Sequence, residues 1–109
     1  MRASSIDGVL VLGVRGELDV FTAPQLAEAI DNGIAASLTA LIVDLSEVAF
    51  LASAGMTVLV TGHETALRSG KRFMVVADGP ATSRPMMLTG LDQAVSLYPT
   101  LDAALKDVV

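Results

Sequence analysis

The hydrophobic positions of this chain change period several times, and each change marks an element. Val9 to Val14 alternate so that Val9, Val11 and Gly13 face one side while Leu10, Leu12 and Val14 face the other, a strand covered on both faces. The strand runs from Val9 to about Arg15. Asp7-Gly8 precedes it, after the strand-like "SSI", and Asp-Gly between such runs signals a two-residue hairpin turn.

The period then lengthens to four. Leu26, Ile30 and Ile34, with Ala29 and Gly33 beside them, form the apolar stripe of a helix reaching about Ser37. Its start carries several signals. Thr22 is the expected N-cap, Gln25 completes a capping box, Phe21 is placed to staple onto Leu26, and Pro24 falls in the first turn. Ala40 to Leu45 is a short continuous apolar run, the mark of an interior strand.

"SEVAF" leads to a second helix, Ala54 to Ser69, capped by Ser53 and closed by Gly70. Arg72 to Ala77 is another buried strand. A short third helix ends near Thr89-Gly90, capped by Thr82 or Ser83, its regular part confined to residues after Pro85. Ala94 to Tyr98 is a weak strand, and a last helix follows Thr100 as cap. The order β-β-α-β-α-β-α-β-α predicts an α/β fold: a mixed, mostly parallel sheet entered by an N-terminal hairpin, with about four helices.

Composition narrows the chemistry. The chain has 109 residues, one domain's worth (1–109), of which 52% are hydrophobic and 17% charged. Its formal charge is −5, and Lys71-Arg72 is the only adjacent basic pair, so direct nucleic-acid binding is not expected. There is no cysteine and one histidine, His63, which excludes disulfides and Cys- or His-rich metal sites. No apolar run approaches the roughly 18 residues of a membrane span, and "MRASSIDG" lacks the apolar segment of a secretory signal. The expectation is a soluble, cytoplasmic protein with no membrane insertion.

Catalysis finds little support. Ser53 and His63 lie ten residues apart on one helix, about 15 Å along its axis, too far for a dyad. Leu51 occupies the first glycine position of a G-x-S-x-G elbow. His63 sits on a stripe with Met56, Val60 and Leu67, a structural or interfacial placement. Thr61, Glu64, Thr65 and Arg68 form the opposite, solvated face, with Glu64 and Arg68 paired. No dinucleotide-binding or phosphate-loop glycine motif is present. Glu17, Asp19, Asp44 and Glu47 near strand ends suit turns and caps rather than a metal.

Ser53, in "FLASAG", has two readings. As an N-cap it would accept the N–H of Gly55 or Met56. As a phosphorylation site it would set about −1.5 to −2 charges against the positive end of a helix dipole, tolerated by the fold but met by any partner docked there.

"GELD" (Gly16 to Asp19) followed by "FTAPQL", then "LIVDLSEVAFLASAG" (Leu41 to Gly55), "SGKRFMVV" and "PATSRPMMLTGL" occur in the order seen in one family. The chain resembles a stand-alone STAS domain of the anti-sigma factor antagonist type, over essentially its whole length. The resemblance implies a non-enzymatic protein, with no cofactor, that binds an anti-sigma factor and thereby frees a sigma factor. In that family the anti-sigma factor is also the kinase, of the histidine-kinase-like ATPase type, and it phosphorylates the serine or threonine opening the second helix. Ser53 holds that position. The docking surface implied comprises Asp19, Phe21 and Thr22 after the first motif, with Ala52, Ser53, Ala54, Met56 and Thr57. Ala52 stands where the family commonly carries Asp, and Pro85 interrupts a helix that usually continues its apolar stripe. The alternative is a non-switching assembly subunit, such as the STAS component of a lipid-transport ATPase, with Ser53 only a cap.

Overall fold

The computed structural model describes residues 1–108. β1 (Arg2–Ile6) and β2 (Val9–Leu18) form the hairpin, joined through Asp7 (φ 49°) and Gly8 (φ 84°). Both are left-handed, as a type I′ turn requires. α1 (Ala23–Ala36), β3 (Ala40–Leu51), α2 (Ser53–Arg68), β4 (Arg72–Val76), α3 (Ser83–Leu88), β5 (Ser96–Tyr98) and α4 (Leu101–Val108) follow. A 3-10 turn at Leu91–Gln93 precedes β5. The sheet order is β1-β2-β3-β4-β5, with β1 antiparallel to β2 and the other pairs parallel. The expected α/β architecture is therefore observed.

The two faces of the sheet carry two cores. Leu12, Val14, Leu41, Val43, Phe73 and Val75 point to the side covered by α1, α2 and α3. Val9, Val11, Ala40, Ile42, Met74 and Val76 point to the side covered by α4. The alternation expected along β2 is thus the observed one.

β2 and β3 run further than their apolar patterns indicate. The expected ends were Arg15 and Leu45; the observed ones are Leu18 and Leu51. Register shifts between Gly13 and Arg15, and again between Gly16 and Glu17, break the period-two pattern there. β1 pairs only as far as Gly13 and β4 only as far as Asp44. Residues 15–18 and 47–51 consequently project beyond the sheet as a two-stranded parallel ribbon. Arg15 and Glu47 bridge it at 3.0 Å, both well exposed.

The helix starts differ in detail from expectation. Thr22 is the N-cap of α1 by position, but its hydroxyl makes no capping bond and the box with Gln25 does not form. The Thr22 N–H is already donated to the Asp19 carboxylate at 3.0 Å. Phe21 is 83% exposed and staples nothing. In α2 the N-cap is Ala52 (φ −88°, ψ 168°), so Ser53 is the first helical residue rather than the cap. The Ala52 N–H is held by the Leu18 carbonyl at 2.8 Å across the ribbon, and the Ala52 carbonyl accepts from Gly55 and Met56. That anchor fixes Ala52 as the extended residue and starts the helix one position early. α3 likewise begins at Ser83, with Pro85 inside its first turn rather than ahead of it. Thr100 does cap α4, accepting the Ala103 N–H at 3.1 Å.

The buried face of α2 is Gly55, Leu59, Gly62 and Ala66, one position off the expected stripe. Met56, Val60 and His63 are half-buried, and Leu67 is 63% exposed. Small residues bring the helix close to α1 and β4: a Cβ on Gly62 would lie 2.8 Å from Ile30 Cγ2. His63 packs edge-on to Phe73, ring centroids 6.2 Å apart, a structural placement. Glu64 and Arg68 do not pair; Arg68 donates instead to the Thr65 hydroxyl at 3.3 Å.

α4 is fastened by a polar cluster as well as by Leu101, Ala104 and Leu105. Arg72 donates to the Asp107 carbonyl at 2.7 Å and to its carboxylate at 3.0 Å, and the Tyr98 hydroxyl donates to that same carboxylate. The Tyr98 hydrogen bond, then Arg72, hold the Asp107 carboxyl below its ordinary value. A depressed carboxylate contributes stability above its unfolded-state pKa and loses it as pH falls through the folded-state pKa. Amides of α4 should therefore lose hydrogen-exchange protection, relative to those of α2, as pH drops below about 4. In Asp107→Asn that acid-dependent difference should vanish. Parallel behaviour of α4 and α2 in the unmodified chain would count against the fastening role.

Candidate functional site

The ribbon carries two loops side by side at the carboxyl ends of the parallel strands. One is 19–22, after β2; the other is Ala52-Ser53, after β3. The bond from Ala52 N–H to the Leu18 carbonyl ties them together.

Asp19 organises the first loop. Its carboxylate accepts the N–H groups of Phe21 at 2.9 Å and Thr22 at 3.0 Å. The Thr22 hydroxyl accepts the Asp19 N–H and donates to the Glu17 carbonyl, both at 2.9 Å. These bonds, the one from the Thr22 N–H foremost, lower the Asp19 pKa. With its donors so committed, the loop turns Val20 and Phe21 outward. Asp19→Asn should keep the loop only in part, because an amide accepts the same bonds without the charge. The Thr22 amide should then exchange faster, while core amides do not. An unchanged Thr22 amide would argue against this role.

Ser53 lies beside this loop, exposed, and its hydroxyl has no hydrogen-bond partner among the described residues. Its carbonyl accepts from the Thr57 hydroxyl at 3.1 Å, one turn on. Ala54 and Met56 are half-buried, and Thr57 is exposed. The Thr89 hydroxyl of α3 approaches the Met56 sulfur at 3.7 Å, which brings the end of α3 to the same face. No acidic side chain occupies the first turn of α2, so its positive pole is uncompensated there.

The expected surface residues Asp19, Phe21, Thr22, Ala52, Ser53, Ala54, Met56 and Thr57 thus fall on one end of the molecule. Four exposed apolar residues of that end were not singled out from the sequence: Val20, Phe50, Met87 and Leu88. Their only sequence signal is apolar character next to strand and helix ends, which reads equally well as core.

Other candidates separate. His63 is on the third turn of α2, away from Ser53, with its Nδ1 buried and without a partner among the described residues. Asp44 accepts the Ser46 N–H at 2.9 Å, Glu47 pairs with Arg15, and Asp19 holds its loop, so these acids serve turns and the ribbon. Among the described residues no group of three or more potential ligands could hold a metal ion. Among the described residues no helix is long and apolar enough to cross a membrane.

The STAS domain family model matches residues 1–104, and the chain belongs to that family. It is 46% identical over 102 residues to the anti-sigma-F factor antagonist RsfB of Mycobacterium tuberculosis (strain ATCC 25618 / H37Rv), covering 94% of this chain and 83% of that one. The crystal structure of an anti-sigma factor antagonist from Mycobacterium paratuberculosis superposes with a TM-score of 0.90 at 48% identity, covering 98% and 91% of the two chains. The Bacillus cell fate determinant SpoIIAA in its phosphorylated form shares the fold at a TM-score of 0.72 and 18% identity, over 99% and 98%.

Proposed function

We propose that this chain acts as one STAS module, in the cytoplasm, as an anti-sigma factor antagonist. The face carrying Asp19, Phe21, Thr22, Ala52, Ser53, Ala54, Met56 and Thr57 binds the anti-sigma factor, which releases its sigma factor. Phosphorylation of Ser53 breaks that complex. The kinase is the anti-sigma factor itself, of the histidine-kinase-like ATPase type; ATP and Mg²⁺ belong to it.

The observation that carries the reading is the state of Ser53. A serine engaged as an N-cap is committed to its own helix, whereas this hydroxyl is exposed and unpartnered one residue further on. A phosphoryl group there would meet an uncompensated helix terminus, which accommodates it, and would occupy the ground a partner must cover. The two relatives near half identity, both antagonists by name, favour this over a permanent assembly subunit.

The direct test is reconstitution. Mixed with the anti-sigma factor of the source organism and ATP·Mg²⁺, the chain should gain one phosphoryl group, located on Ser53 by fragmentation, and Ser53→Ala should gain none. A stable complex with ATP present and no phosphoryl transfer would instead support the assembly role left open by Ala52.

A further inference from the structure

β3 outruns β4 by seven residues, since the β3–β4 ladder ends at Asp44↔Val76 while β3 continues to Leu51. Among the described residues no strand pairs with that side of residues 45–51. α3 lies alongside instead and leaves an open groove of about 510 Å³. Its walls are apolar: Phe50 and Leu51 from β3, Pro80 before α3, and Pro85 and Leu88 from α3 itself. Phe50 is 51% exposed and Leu88 is 78% exposed, an arrangement that costs hydration free energy unless something covers it.

One charged side chain lines this groove, Arg84. The ion pairs among the described residues are Arg15–Glu47 and Arg72–Asp107, so Arg84 has none. Asp78 lines the continuation of the groove past Pro80 but does not pair with it. On a chain of net charge −5, an unneutralised guanidinium beside exposed apolar walls is selective in what it attracts. Leu51 forms part of the groove and immediately precedes Ala52-Ser53, so groove and switch are continuous.

We propose that this groove receives a short segment of the anti-sigma factor bearing an apolar side chain next to a carboxylate. The apolar side chain packs between Phe50 and Leu88, and the carboxylate pairs with Arg84. Aromatic and arginine side chains are the common anchors of protein interfaces, and a guanidinium fork matches a carboxylate with two parallel hydrogen bonds. The groove is then a partner-selecting contact next to the switch. Phosphate on Ser53 controls whether the complex forms, while Arg84 and Leu88 govern with which anti-sigma factor. This inference rests on the anti-sigma reading above.

The test uses the full chain and the anti-sigma factor of the source organism in calorimetric titrations. Arg84→Glu and Leu88→Asp should each weaken binding about tenfold or more, with unchanged melting temperatures because both side chains are exposed. Arg84→Lys should fall between, since it keeps the charge but not the fork. Reversing the charge of one partner carboxylate should restore binding to Arg84→Glu. Wild-type affinity of Arg84→Glu and Leu88→Asp, with binding lost in Ser53→Asp, would overturn the groove contact and leave the anti-sigma reading standing. Loss in Leu88→Asp alone, or failure of every charge reversal, would overturn the carboxylate pairing. Absence of any complex with the unmodified chain would remove the anti-sigma reading, and this one with it.

Discussion

Ser53→Asp is expected to move stability and binding in opposite directions. Ser53 is the first residue of α2, its hydroxyl is unpartnered, and the first turn of the helix holds no acid. A carboxylate placed there meets the positive pole of the helix, worth about 0.3–1 kcal/mol, so the melting temperature should stay level or rise. Binding should go the other way. A charge covered by a partner loses its hydration without gaining a counter-ion, at a cost of about 3 kcal/mol, roughly a hundredfold in Kd. Ser53→Ala removes a group with no partner to lose, so stability should change by less than about 0.5 kcal/mol and binding should persist. A true phosphoserine, with a second charge and more acceptor oxygens, should exceed Asp in both effects. Differential scanning calorimetry and titration of wild type and these three forms provide the check. A stabilised Ser53→Asp that still binds like wild type would show that the partner does not cover this helix end.

This pairing of signs separates a switch from a cap. Had Ser53 been the N-cap, Ser53→Ala would cost about 1 kcal/mol by releasing the bonds to the first turn. Sequence alone favours that cap, because Ser is a preferred residue just ahead of an apolar helical run. It could not register the bond from Ala52 N–H to the Leu18 carbonyl, a contact between residues 34 positions apart that moves the helix start by one. At Thr22 the competitor is local: its N–H is claimed by the Asp19 carboxylate, three residues earlier, before Gln25 can reach it.

What was legible is what local chemistry decides. The Asp7-Gly8 turn, the two-sided alternation of β2 and the Leu26-Ile30-Ile34 stripe each depend on a few neighbouring residues, and each is found as expected. The ribbon was not legible. Glu17, Ser46 and Glu47 lie past the expected strand ends because they are polar, and register shifts remove the period that would mark a longer strand. Yet that extension sets Asp19 and Ser53 on one projecting edge and opens the groove beside Phe50. The residues of the candidate surface could be named from the sequence; why they stand together, and why exposed Phe50 and Leu88 join them, depends on β3 outlasting β4.

The packing of α2 shows the same limit and leads to the second large effect. Scoring hydrophobicity selects Met56, Val60 and Leu67, but contact is made by Gly55, Leu59, Gly62 and Ala66. At Gly62 the constraint is close approach: an added Cβ would stand 2.8 Å from Ile30 Cγ2 and 3.1 Å from two ring carbons of Phe73. Ile30 and Phe73 are themselves buried, so neither can swing into solvent. Gly62→Val recovers only a few tenths of a kcal/mol in helix propensity, against about 1–3 kcal/mol for overpacking, so it should destabilise. Ile30→Ala, at a side chain 1% exposed, should cost about 2–5 kcal/mol through the cavity it leaves, lowering the melting temperature by about 8 °C or more. Combined, the two should not add. The valine at 62 occupies the space vacated by Ile30 Cγ2, so the double variant should be more stable than the sum predicts by about 1 kcal/mol or more. Chemical denaturation of the four proteins closes the cycle. Strict additivity would mean that α2 is not held against α1 through this glycine, and that the helix carrying Ser53 is positioned by something else.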